Sequence, residues 1–140
     1  MPTRRTWTPE LQRDTIGFLF ALVDGIRTRF EAAAAASDLT PSQAYALLQI
    51  GEPRPMSQLA DTLSCDRSNV TAIVDKLESG GLVERRIDPE DRRVKNLALT
   101  PAGADLRRKL EDGMTEWLPD ELSKQDVEVL VGLLKKVTAI

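Results

Sequence analysis

The feature that most constrains this chain is a change of hydrophobic period just past its midpoint. Up to Leu77 the apolar residues recur at steps of three, four and seven, the spacing of amphipathic helices. Leu82-Val83-Glu84-Arg85-Arg86-Ile87 and Lys95-Asn96-Leu97-Ala98-Leu99-Thr100 instead read as short strands. The polar run Asp88-Pro89-Glu90-Asp91-Arg92-Arg93-Val94 joins them as a hairpin tip. Helical spacing then resumes at Thr100-Pro101. A single hairpin set among helices admits few folds.

The helices are punctuated by their caps. Thr8-Pro9 is an N-cap followed by proline at the first helical position, and Leu11, Phe18, Leu19, Leu22, Val23, Ile26 and Phe30 carry that helix to the Ala32–Ala36 tract. Thr40-Pro41-Ser42-Gln43 is a capping box opening a second helix with Tyr45, Leu47, Leu48 and Ile50. Gly51 to Pro55 reads as a tight connector, and a short helix opens at Ser57 over Leu59, Ala60 and Leu63. Ser64-Cys65-Asp66 is a turn, with Asp66 an N-cap candidate for the helix of Val70, Ile73, Val74 and Leu77. Ser79-Gly80-Gly81 stops that helix. Past the hairpin, one helix runs from Pro101 through Leu106, Leu110, Met114 and Trp117, and Pro119 ends or bends it. Ser123 to Asp126 boxes in a last helix of Val127, Leu130, Val131, Leu134 and Val137.

A short helix, a tight turn, a second helix and a hairpin make a winged helix-turn-helix, whose second helix docks in the DNA major groove. With Val70, Ile73, Val74 and Leu77 turned inward, Ser68, Thr71, Ala72, Asp75 and Ser79 face outward, flanked by Arg67, Asn69 and Lys76. Arg67, Ser68, Asn69 and Thr71 occupy the first turns, where such helices reach base edges. Arg suits guanine, Asn suits adenine, and the Thr methyl suits thymine. Arg92 and Arg93 stand together on the hairpin tip, with Arg85, Arg86 and Lys95 on its strands. A guanidinium there suits a narrow minor groove, and Asp91 is placed to orient one by a charge-assisted bond.

Inventory excludes other chemistry. The chain has no histidine and one cysteine, Cys65, so His-metal catalysis, Ser-His-Asp triads and multi-Cys zinc sites are ruled out. No phosphate-binding glycine loop, nucleophile motif or paired acids stand at telling spacing. The reading is therefore no enzyme, no metal and no cofactor. A lone cysteine fits a reducing compartment, and Ile16 to Val23 is too short to span a bilayer, so the expected location is cytoplasmic, with no membrane partner.

Asp88-Pro89-Glu90-Asp91-Arg92-Arg93 followed by Leu99-Thr100-Pro101-Ala102-Gly103 resembles the wing signature of the MarR family of bacterial regulators. The run from Asn69 to Arg85 resembles that family's recognition helix and first wing strand, and the helical order fits on either side. The resemblance implies a homodimer interlocked through its first and last helices, bound to pseudo-palindromic DNA and usually repressing nearby genes. Many members release DNA when a small aromatic or phenolic ligand binds between the dimer helices and the DNA-binding lobe.

Residues 1–140 thus read as one mainly α domain with a small β-hairpin. Residues 8–36 and 101–140 are the expected dimerisation helices, and 40–100 the winged lobe. The wide apolar stripes at both chain ends support the dimer independently, against a monomeric six-helix domain. DNA contacts are assigned to Arg67, Ser68, Asn69, Thr71, Lys76, Arg86, Arg92, Arg93 and Lys95, with Asp91 orienting the wing. Phe18, Phe30, Tyr45 and Trp117 are candidates for an effector pocket, against ordinary core packing. Two alternatives stay open: a winged helix used as a protein-interaction module, and a redox-responsive regulator acting through Cys65. Against the second, Asp66 next door would raise rather than lower the thiol pKa.

Charge distribution favours DNA more than its total does. The chain carries a formal net charge of -3. Pro53 to Asn96 holds eight basic and eight acidic residues, so the deficit lies in the flanking helices. Within the neutral lobe the basic residues gather on the wing.

Overall fold

Caps written in the sequence open four of the six helices among the described residues. Thr8 Oγ1 accepts the Leu11 N–H at 3.2 Å and starts α1 (Pro9–Ala36). Thr40 and Gln43 exchange both capping-box bonds, at 3.1 and 3.2 Å, and start α2 (Pro41–Gln49). The computed structural model describes residues 7–63, 67–116 and 118–138. After α2 come β1 (Arg54–Pro55), α3 (Met56–Leu63), α4 (Arg67–Ser79), β2 (Val83–Ile87) and β3 (Lys95–Leu99). Thr100 caps α5 (Pro101–Thr115), and Ser123 with Asp126 caps α6 (Lys124–Thr138).

Helix ends are closed by equally local devices. At the end of α4, Gly81 takes φ +72° while its N–H reaches Glu78 O at 2.9 Å and the Leu82 N–H reaches Leu77 O at 2.9 Å. That is a Schellman motif, which needs the left-handed residue that glycine supplies. The C-terminus of α2 has no basic residue of its own. Two arginines from elsewhere cover its carbonyls: Arg54 Nη1 donates to Gln49 O at 2.9 Å, and Arg107 Nε to Leu48 O at 3.2 Å. Orphan carbonyls at a helix end need such donors, and cations suit that pole of the dipole.

The sheet differs from the expected hairpin by one strand. β1 pairs antiparallel with β3, Arg54 opposite Leu97 and Pro55 opposite Asn96, giving the order β1-β3-β2. The connector reading of Gly51–Pro55 missed it because two residues show no period, and proline is tolerated only at a sheet edge. The hairpin itself keeps its register, with Val83 opposite Leu99 and Ile87 opposite Lys95. α3 begins at Met56, one residue before the expected Ser57. α5 ends at Thr115, and Trp117 lies outside the described residues.

One core crosses the expected division into dimer helices and winged lobe. Leu47, Ile50, Leu59, Val70, Val74, Leu77, Val83 and Leu97 are fully buried together with Ala34 from α1 and Leu110 from α5. Phe30, Ala33 and Leu106 pack against the same cluster. The lower half of α1 and most of α5 are therefore parts of the lobe. What remains uncovered is the upper half of α1, where Leu11, Ile16, Phe18, Phe20 and Val23 are exposed, and α6, which has no buried residue.

Candidate nucleic-acid interface

α4 buries one face and offers the other. Val70, Val74 and Leu77 are sealed in the core, and Asn69, Thr71, Ala72, Asp75, Lys76 and Ser79 are exposed. Arg67 and Ser68 form the first turn of α4, with side chains outside the described set. Cys65 and Asp66 also lie outside the described residues, so the redox and N-cap readings at the preceding turn have no structural counterpart.

The wing is built around Asp88, whose role is not evident from its place in the polar run. Its Oδ1 accepts the N–H groups of Glu90 and Asp91 at 2.8 and 3.1 Å, and its Oδ2 accepts from Asn96 Nδ2 at 2.9 Å. The Asp88 N–H in turn reaches Val94 O at 3.0 Å, closing the turn. An aspartate holding its own following backbone is the local signal that could have marked it. Asp91 makes no bond to a wing guanidinium among the described residues; its Oδ1 accepts the Arg93 backbone N–H at 3.0 Å. It shapes the chain beneath the arginine and leaves the guanidinium to solvent.

Arg92, Arg93 and Lys95 are exposed, and among the described residues no carboxylate pairs with them. Arg86 is also exposed but forms an ion pair with Glu84 on its own strand. Arg85 reaches back to α4, with Nη2 2.5 Å from Asp75 and Nη1 2.6 Å from Glu78. The outcome is an outer helix face and a cationic tip mounted on one sheet.

The Asp88 carboxylate is held below the usual range, first by the Asn96 amide and then by the Glu90 and Asp91 N–H groups. A depressed carboxylate stabilises its turn above the unfolded pKa, and that contribution is lost as pH falls through the folded one. The Asn96 side-chain amide resonances should therefore hold constant from neutral pH to about pH 4, the ordinary aspartate value, and move only below it. In Asp88→Asn they should lack this step, and movement unchanged in that variant would assign the titration elsewhere.

Of the expected effector residues, Trp117 lies outside the described set, and Phe18, Phe30 and Tyr45 share no cavity among the described residues. Phe18 stands 76% exposed on α1, and Phe30 packs on the core. Tyr45 alone lines a cavity, one of about 450 Å³ shared with Leu63, Asn69, Ala72 and Ile73 between α2 and α4. A second cavity, of about 370 Å³, lies beside the wing, where Arg93 and Lys95 meet Met56, Ala60 and Val70.

Comparison with known proteins converges on one family. The MarR family model matches residues 39–95. The chain is 33% identical over 99 residues to a protein of Thauera aromatica named as the proposed transcriptional regulatory protein for the hcr operon, covering 66% of this chain and 60% of that one. The chain spans 60% of the length of the first curated relatives it matches. A MarR-like transcriptional regulator from Thermotoga maritima superposes with a TM-score of 0.64 at 31% identity, over 90% of this chain and 94% of that one. A mutant of MepR from S. aureus, bound to an oligodeoxyribonucleotide, has the same fold, with a TM-score of 0.63 at 23% identity over 89% of this chain and 96% of its own. These relatives are transcriptional regulators, which are not enzymes. No helix among the described residues is long and apolar enough to cross a membrane.

Proposed function

Because the chain belongs to the MarR family of transcription regulators, we propose that it binds double-stranded DNA as a homodimer, with α4 in the major groove and the wing against the minor groove. The observation that carries this reading is the wing tip. Arg92 and Arg93 are exposed without carboxylate partners among the described residues, on a turn held rigid by Asp88 and Asp91. An arginine pair with no carboxylate partner among the described residues breaks no ion pair on meeting phosphate, and the ordered turn lowers the entropy cost of placing it. MepR bound to an oligodeoxyribonucleotide, sharing the fold, supports the same reading.

Asn69 and Thr71 read base edges in this arrangement, with Arg67 and Ser68 ahead of them in the same turn. Lys76, Arg86 and Lys95 contribute charge along the backbone. Two-fold symmetry places the recognition helices about 34 Å apart, one turn of duplex, on a pseudo-palindromic operator. A dimer seated there excludes polymerase from the same duplex and represses nearby genes. Relief comes from a small aromatic ligand in the Tyr45 cavity, whose wall includes Asn69, Ala72 and Ile73 of α4. Filling that space would shift the helix that reads DNA.

The test is binding to the upstream region of its own gene, followed across salt concentrations. Arg92→Ala with Arg93→Ala should weaken binding about tenfold or more and flatten the slope of log affinity against log salt by between one and two units. Unchanged affinity and slope would reject the wing as a DNA contact. Failure of the wild type to shift that DNA at low salt would favour a protein-interaction module instead.

A further inference from the structure

A helix laid against phosphates should not present acids to them, yet α4 carries Asp75 and Glu78. The Asp75 side chain is 60% exposed and shares the outer face of the helix with Thr71, Ala72 and Lys76. Both carboxylates are met by one cation. Arg85, on β2, sets Nη2 2.5 Å from Asp75 and Nη1 2.6 Å from Glu78, so its two terminal nitrogens each serve a different acid. Its own side chain is only 22% exposed, far from the open setting of a phosphate-seeking arginine. The sheet fixes its position, since Arg85 lies opposite Leu97, a fully buried residue of the central strand.

We infer that Arg85 is a positioning residue for DNA recognition, which screens Asp75 and Glu78 from the phosphates and does not itself contact the duplex. The inference rests on the DNA-binding reading above. Like charges facing one another across an interface cost affinity, and one guanidinium shared by two carboxylates cancels one of their two charges and fixes both away from free rotation. A lysine would not substitute, because a single ammonium cannot serve two carboxylates in the fixed fork geometry of a guanidinium.

The experiment compares four proteins on one labelled random-sequence duplex at low and moderate salt, with a thermal melt of each. They are the wild type, Arg85→Ala, Asp75→Asn with Glu78→Gln, and the triple variant that combines all three changes. Arg85→Ala should bind about tenfold more weakly. The triple variant should recover most of that loss, because the acids that needed screening are gone. The acid double variant should bind as tightly as wild type or tighter, with a steeper salt slope, since it frees a cation. A triple variant as weak as Arg85→Ala would overturn the inference by making Arg85 a direct contact or a tether. If Arg85→Ala fails to fold, the acid double variant decides alone: weaker binding there overturns the inference. A wild type that binds no duplex overturns the DNA reading itself, whereas a wild type that binds while the triple variant is not rescued overturns this inference only.

Discussion

Gly103→Ala should lower the melting temperature by about 10 °C, the consequence of roughly 3 kcal/mol of overpacking. A Cβ built on Gly103 would lie 1.9 Å from the carbonyl oxygen of Leu82. That oxygen cannot step aside freely, because it accepts the Thr100 N–H at 3.1 Å. The neighbouring carbonyl of Gly81 is held too, by Thr100 Oγ1 at 2.5 Å, and the same hydroxyl oxygen caps α5 through the Gly103 N–H at 3.1 Å. Thr100 and Gly103 thus lock the first turn of α5 onto the segment between α4 and the wing. Relief of the clash would have to open that lock. Gly113→Ala is the control within the same helix. There, among the described residues, a Cβ would meet only the Ala33 Cβ, at an ordinary 3.9 Å. Gly113 lies in the last turn of α5, where alanine should still gain a fraction of the roughly 1 kcal/mol it holds over glycine in a helix interior. Thermal melts followed by circular dichroism should show opposite signs for the two variants, and equal shifts would remove the steric account.

That pair also shows where sequence reading stops. Caps were legible because a cap is a bond between residues three apart, and Thr8, Thr40, Thr100 and Ser123 all act as their spacing indicates. The Gly80-Gly81 stop was legible for the same reason. β1 was not, since Arg54 and Pro55 become a strand only by pairing with residues 97 and 96, far along the chain. Gly103 could be quoted as part of a family signature, but its reason is a carbonyl from another segment. The site divides the same way. The outer face of α4 followed from helical period, and the exposed arginines followed from a polar turn. Which wing cation is free and which is spent was not visible, because Arg85 and Arg86 are alike in sequence. One reaches to α4 and the other to its own strand. Asp88 and Asp91 are likewise one residue type in one turn, separated by the N–H groups each collects: two backbone amides and the Asn96 side chain for Asp88, one backbone amide for Asp91.

Phe18→Asp combined with Leu133→Asp should convert the protein to a monomer and weaken its binding to a palindromic duplex by roughly 10² to 10⁴-fold. In the single chain both side chains are already open to solvent, Phe18 at 76% and Leu133 at 53%. If the monomer were the working form, a carboxylate at either position would cost almost nothing and would aid solubility. The apolar surface argues otherwise. Leu11, Ile16, Phe18, Phe20 and Val23 on α1, with Val129, Val131, Leu133 and Val137 on α6, are too many large hydrophobics to leave wet in two helices. α6 in particular buries no residue: Val127, Leu130 and Leu134 are half-buried, and Val129, Val131, Leu133 and Val137 are exposed. A helix of that length is marginal in water unless an apolar face is packed. In the proposed dimer, seating these faces on a second copy would satisfy both helices and join two lobes proposed to bind DNA. Binding one half-site then raises the effective concentration of the other lobe at its own half, and this gain is what the double variant should forfeit. Sedimentation should show the halved mass at micromolar concentration, with most helical signal outside α6 retained. Affinity for an isolated half-site should stay near the wild-type value, because α4 and the wing are untouched. A variant that remains dimeric would move the interface elsewhere on the molecule, and one that becomes monomeric yet holds the palindrome at full strength would separate dimerisation from DNA binding.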